Sequence, residues 1–291
     1  MTRTLLIENA GSGAADAGAL ERVEMLLGDL GPVRRISPSS PETFDAEVFQ
    51  GAADCGLVVV AGGDGTANCA LNALSARLHE IVFGLIPMGT GNDLARTLGL
   101  PRGDPAGAAR VVVEGRERDI DLGRATGPER ERLFANACMG GFPVEVNQAI
   151  GGELKKRLGP AAFWVGGAKA AARLDRTMVT MNGVALDDCV AVGVGNGRTC
   201  GGGIEMWPTA IPDDGILNGC ALAAANRSAG LMLAARLRAG AHEALESVET
   251  VTGPRIEITS DPDVELNVDG ELVGLTTPAV FELIGTLRIR C

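Results

Sequence analysis

The first part of the chain alternates short apolar runs with segments whose apolar residues recur at helical spacing. TRTLLIE (2–8), GPVRRIS (31–37), DCGLVVVA (54–61) and IVFGLIP (81–87) read as buried strands. Between them, AADAGALERVEMLLGDL (14–30) carries Leu20, Val23, Leu26 and Leu27 on one helical face. SPSSPETFDAEVFQGA (37–52) opens with Ser and Pro as a helix start. Further helices are expected after Thr66 to Leu78, over Leu94 to Leu98 before Pro101, and over DPAGAARVVVEG (104–115). Strands alternating with helices predict a parallel, Rossmann-like α/β sheet covered on both faces. The loops at 9–13, 62–66 and 87–93 each follow a strand, so all three are expected on one sheet edge.

After RATGPER (124–130), whose composition is linker-like, the periodicity changes. RLFANACMGG, RTMVTMNG, VALDDCVAVGVGNG, GILNGCALA, SVETVTG, RIEITS, VELNVDG, AVFELIG and LRIRC read as strands, with a hairpin turn at Asn182-Gly183. Two helical insertions, about 142–174 and 226–240, interrupt them. The organisation expected is an α/β domain over 1–125 and a β-sandwich over 126–291, whose last strand returns to the first domain.

Composition narrows the function classes. Of 291 residues, 46% are hydrophobic but only 3% aromatic, so Ala, Val and Leu must build the core. The net charge of −11 disfavours nonspecific nucleic-acid binding, which needs a basic face. Seven scattered cysteines without a C-x-x-C pair fit neither a disulfide framework nor a zinc site, and suit a reducing compartment. No signal peptide and no bilayer-spanning run is evident, so a cytoplasmic location is expected.

Three strand-end loops carry candidate chemistry. ENAGSG (8–13) offers Asn9 and Ser12 ahead of a helix, although taken alone it reads better as a glycine-rich β–α turn with a Ser cap. GGDGTAN (62–68) offers Gly62, Gly63, Gly65, Thr66 and Asn68 for close backbone approach and phosphate contact. Asp64 in its middle would repel a phosphate unless a cation lies between them or it accepts a proton; a plain turn aspartate is the alternative. PMGTGND (87–93) repeats the pattern with Gly89, Thr90, Gly91, Asn92 and Asp93. Neither loop is a Walker A or a dinucleotide motif. Downstream acids are Asp119 and Asp121, Asp213 and Asp214, and Asp269 and Glu271 of VDGE. Each alone reads as a turn or strand-edge acid. Facing two phosphate loops, they would suit ATP-Mg2+ chemistry.

GGDGT, PMGTGND and VDGE in this order resemble the diacylglycerol kinase catalytic family, including the soluble bacterial lipid kinases related to diacylglycerol and sphingosine kinases. NAGSG resembles that family's first nucleotide motif, and GGGIEMWPTAIPDDGIL (201–217) its metal-binding stretch. The resemblance implies ATP contacts from Asn9, Ser12, Gly62 to Asn68 and Thr90. It implies a Mg2+ held by Asp214 and the carbonyls of Ile211 and Ile216, with Asp64, Asp93 and Asp121 in a water-linked acidic network. The substrate implied is a lipid alcohol bound between the two domains, and Glu271, Asp269 and Asp64 are the candidate bases. One departure is the lack of a Lys or Arg soon after the first loop, for which Arg34, Arg35 or Arg96 could substitute.

The stretch GGELKKRLGPAAFWVGGAKAAARLDR (151–176) joins Lys155, Lys156 and Arg157 to Phe163 and Trp164, which suits either transient membrane contact or a helix with a solvated basic end. Competing functions are an NAD kinase-like phosphotransferase, for which no dinucleotide-recognition residues are found, and a catalytically weak ATP- or lipid-binding regulator. The sequence leaves the oligomeric state open, a homodimer included.

Overall fold

The computed structural model describes residues 3–8, 17–38, 40–141 and 177–291. The chain divides into two compact units, Met1–Leu122 with Gly285–Cys291, and Gly123–Ile284.

In the first unit, β1 (Thr4–Glu8), β2 (Val33–Ile36), β3 (Leu57–Gly62) and β4 (Val82–Pro87) lie parallel in the order β2-β1-β3-β4. α1 (Ala17–Leu27), α2 (Pro41–Gly51), α3 (Asp64–Ala73), α4 (Asp93–Thr97) and α5 (Pro105–Glu114) alternate with them. β1 and β3 are buried almost throughout, as strands covered on both faces must be. One sheet face packs Leu6, Val59 and Ile86 against Leu20, Val23 and Leu27 of α1 and Ala108, Ala109 and Val112 of α5. The helix expected to run to Leu78 stops at Ala73 and continues as a 3-10 segment, Ser75–Glu80.

The second unit is the β-sandwich. β5 (Glu117–Thr126) enters it from the first unit and forms a hairpin with β6 (Glu131–Phe134), so the stretch with linker-like composition lies in a hairpin. Then come β7 (Ala137–Gly141), β8 (Thr177–Met181), β9 (Val184–Gly195), the short β10 (Thr199–Cys200) and β11 (Ile204–Glu205), β12 (Leu217–Ala223) and α6 (Arg227–Arg238). β13 (Val248–Gly253), β14 (Arg255–Asp261), β15 (Glu265–Val268), β16 (Glu271–Thr276) and β17 (Ala279–Arg290) complete the chain.

The Asn182-Gly183 turn is as expected: both residues have positive φ and Met181 pairs with Val184. Two apolar clusters fill the unit. One is centred on Phe134 and Phe281, whose rings meet edge to face at 6.3 Å. The other is built around the buried Trp207, with Leu222 and Leu233.

Strand readings change at several places, β5, β10 and β11 being strands that the sequence reading did not include. AVFELIG and LRIRC are one strand, β17, which passes from the second unit into the first, where Ile289 pairs with Phe83 of β4. RLFANACMGG is two strands, interrupted at Ala135-Asn136. β16, which contains Gly274 at positive φ, is an additional strand that its sequence pattern did not announce. The helix expected near 226–240 is α6, whereas the one expected near 142–174 lies outside the described residues, as do Lys155, Lys156, Arg157, Phe163 and Trp164.

All seven cysteines are free. Burial raises the Cys138 and Cys220 thiols far above their ordinary range and pushes Cys189 up to about 12.

Candidate functional site

The two glycine loops of the first unit leave adjacent parallel strands at the same level, since Gly62 is paired with Pro87. The Met88 N–H donates to the Gly62 carbonyl at 2.9 Å. Gly63 and Gly89 then meet backbone to backbone: a Cβ on Gly89 would fall 2.4 Å from the Gly63 Cα. No side chain fits at Gly89, and a Cβ on Gly63 would press at 3.2 Å on the Gly89 Cα, so the close approach of the loops favours glycine at both positions.

Asp64 completes the link. Its carboxylate accepts the N–H of Asp93 at 3.0 Å and of Leu94 at 3.1 Å, so the aspartate of one loop caps the helix that follows the other. Asn92 adopts a left-handed conformation and closes its own loop, its Oδ1 accepting the Gly89 N–H at 2.9 Å and its Nδ2 donating to the Gly89 carbonyl.

Thr66 and Asn68 are buried in the first turns of α3, and the Asn68 Oδ1 accepts from Asn72 Nδ2 at 3.2 Å. Gly63, at the N-cap of α3, has no side chain with which to cap the helix, and a helix N-terminus favours an anion through its main-chain dipoles. Thr90 is exposed at the tip of the second loop. Asp93 and Asp121 are both buried. Asn9 and Ser12 lie outside the described residues.

Of the arginines considered as phosphate partners, Arg35 is held by Glu8 at 2.9 Å and by Glu24, and the Glu8 carboxylate raises its pKa. Arg34 donates to the Gly51 carbonyl and pairs with Asp54. Arg96 is in α4, the helix that follows the second glycine loop, 3.7 Å from the Asp93 carboxylate and 3.5 Å from the Gly91 carbonyl.

In the second unit, Asp269-Gly270 is the two-residue turn between β15 and β16, both at positive φ. The Asp269 carboxylate is buried and accepts three main-chain N–H groups: Ala135 at 2.9 Å, Asn136 at 3.0 Å and Ala137 at 2.7 Å. This explains the break between β6 and β7, where those N–H groups turn to a carboxylate instead of a strand. Glu271, two residues on, begins β16 and is half-buried.

Two residues that sequence reasoning missed extend the arrangement. Asn196, fully buried, donates through Nδ2 to the carbonyls of Ala135 at 3.0 Å and Pro212 at 3.5 Å. Asn136 donates to the Thr199 carbonyl at 2.9 Å. Asn196 thus ties the segment that cradles Asp269 to the Ile211–Ile216 loop. The only sequence signal was an asparagine directly after the apolar end of β9.

In that loop the Asp214 carboxylate accepts the Ile216 N–H at 3.0 Å, Gly215 has positive φ, and Ile211 and Ile216 are exposed. One carboxylate with main-chain carbonyls is an all-oxygen donor set, which fits Mg2+. Among the described residues no group of three His, Cys, Asp or Glu side chains could hold a metal. Asp64, Asp93 and Asp121 therefore form no direct three-carboxylate site with one another.

Comparison with known proteins agrees with this layout. Residues 3–125 match the diacylglycerol kinase catalytic domain, and residues 137–289 match the YegS C-terminal NAD kinase beta sandwich-like domain. A "Probable lipid kinase YegS-like" of Stenotrophomonas maltophilia (strain K279a) is 33% identical over 80% of this chain and 77% of the relative. One of the same description from Xanthomonas campestris pv. campestris (strain 8004) is 34% identical over 74% and 72%. A crystal structure of a Bacillus anthracis str. Sterne protein superposes with a TM-score of 0.79 at 25% identity, covering 97% of this chain and 92% of that one. The chain belongs to the lipid kinase family that joins a diacylglycerol kinase catalytic domain to a YegS-type β-sandwich.

Proposed function

We propose that this chain transfers the γ-phosphate of ATP to the hydroxyl of a lipid alcohol, diacylglycerol-like or sphingoid- and ceramide-like, with Mg2+ as cofactor. The observation that carries the reading is the pair of glycine loops locked together by Asp64. Glycines where a side chain would collide, with the N-terminus of α3 directly after the first loop, let a triphosphate approach the main chain closely.

Gly62, Gly63, Gly65, Gly89 and Thr90 line the nucleotide's phosphates, and Arg96 supplies positive charge beside them. Asn9 and Ser12 are the remaining nucleotide contacts expected from the family motif. Mg2+, held by Asp214 and the Ile211 and Ile216 carbonyls, would offset phosphate charge. Asp93 and Asp121 contribute through water.

Glu271 is the general base. Both oxygens of Asp269 and both of Asp64 accept main-chain N–H groups, which gives those two carboxylates a structural task, and Glu271 opens β16 directly after the turn that the Asp269 bonds hold fixed. The lipid hydroxyl oxygen attacks the γ-phosphorus, and its proton passes to the Glu271 carboxylate. A new P–O bond forms as the bond to the β–γ bridging oxygen breaks, and ADP leaves.

The test is incubation with labelled ATP, Mg2+ and a panel of diacylglycerol, ceramide, sphingoid base and cellular lipid extract. Label in one lipid class is expected. Folded protein that labels none of them would overturn the proposal.

A further inference from the structure

We infer that the outer face of α6 is a docking surface for an anionic lipid bilayer. Leu233 of this helix is buried against the sandwich and Leu237 packs beside it. The opposite face is apolar yet open: Leu231 is 75% and Met232 59% exposed. Side chains this size are seldom left in water side by side without a partner.

At about 3.6 residues per turn, Leu231, Met232, Ala235 and Ala239 fall in one stripe along that face, and all four are exposed. Arg236 borders the stripe on one side and Arg238 on the other, both exposed. Among the described residues neither is held in an ion pair.

Charge selects the occupant. Arg227–Arg238 contains three arginines and no acidic residue, in a chain of net charge −11. Glu205, which a Cβ on Gly240 would approach at 3.0 Å, lies past the helix end. In a symmetric pair of copies, α6 against α6 would set these arginines against the same arginines, which is electrostatically unfavourable. A lipid surface, by contrast, satisfies both halves of the pattern: acyl chains take Leu231 and Met232, and anionic headgroups take the flanking guanidinium groups. No helix of the described residues is long and apolar enough to cross a membrane, so the mode is lying on the surface. This surface is independent of which alcohol is phosphorylated.

The test is co-sedimentation of the full chain with phosphatidylglycerol vesicles and with phosphatidylcholine vesicles. Binding to the first, weakened by salt, and about tenfold weaker binding to the second are expected. The exposed variants Leu231→Ser/Met232→Ser and Arg236→Glu/Arg238→Glu should each lower partitioning about tenfold or more. Their circular dichroism and melting should be unchanged, and so should phosphorylation of a short-chain, monomeric lipid alcohol. No binding by the parent protein, or equal binding by the variants, would overturn the inference. So would a dimer that dissociates in Leu231→Ser/Met232→Ser while vesicle binding persists, which would assign the face to a second copy. Because vesicle binding is read without ATP, it can fail while kinase activity stands, and the reverse.

Discussion

The carboxylate of Asp64 accepts the main-chain N–H of Asp93, so the aspartate of one phosphate-type loop holds the start of the helix behind the other. The acid in the first glycine loop thereby has a structural task that needs no contact with phosphate: it ties that loop to the start of α4.

The first prediction concerns that cap. Asp64→Asn places an NH2 group where an acceptor met an N–H, and a buried N–H left without a partner costs about 1–3 kcal/mol. Melting temperature and ATP affinity should fall together, while the Mg2+ concentration at half-maximal activity stays constant. A shifted Mg2+ dependence with unchanged melting would instead make Asp64 part of the metal environment.

The second separates Asp269 from Glu271. Asp269→Ala orphans three N–H groups and should destabilise the chain by several kcal/mol, at about 1–3 kcal/mol for each group. Glu271→Gln, which keeps the side chain's size and orphans none of those three N–H groups, should cost much less stability than Asp269→Ala. It should nonetheless lower kcat about 10²- to 10⁴-fold with little change in KM for ATP. Urea unfolding and steady-state kinetics on both variants check this.

The third concerns glycine contact. Gly89→Ala would press a methyl against the Gly63 Cα, forcing the loops apart, and KM for ATP should rise with a lower melting temperature. Gly28→Ala, with nothing within 4 Å of its Cβ, is the control and should melt at or above the parent.

The fourth is a pH effect. Arg124 holds the Glu282 carboxyl below its ordinary value by a hydrogen bond and by charge. A depressed folded-state pKa stabilises the protein above the unfolded-state value, and that contribution is lost as pH falls through the folded-state value. Glu282→Gln should therefore melt slightly lower than the parent at neutral pH, with the difference vanishing in acid. Melting curves across the acid range provide the measurement.

The fifth concerns the thiols. Cys138, Cys189 and Cys220 are buried and their thiolates suppressed. Reagent added to native protein should leave these three unmodified by peptide mass mapping, and denaturant should expose them together.

Much of this protein is legible along the chain because its signals are local. Continuous apolar runs such as Leu57–Val60 mark strands buried on both faces, and the glycines that follow mark close approach. The Asn182-Gly183 turn is equally local, since its positive φ angles demand those residue types. What sequence left ambiguous was which acids act and which hold the chain, because that depends on partners far away in sequence. Asp64 reaches an N–H 29 residues away, and Asp269 reaches others as far as 134 residues away. The break at Ala135-Asn136 has the same origin: local propensity favours one strand, and a distant carboxylate takes its N–H groups. Residue types and their order determined the family, the two-part architecture and the candidate chemistry. Tertiary structure alone decided which main-chain groups Asp64 and Asp269 hold, because a carboxylate's partners are set by the distant donors that folding brings to it.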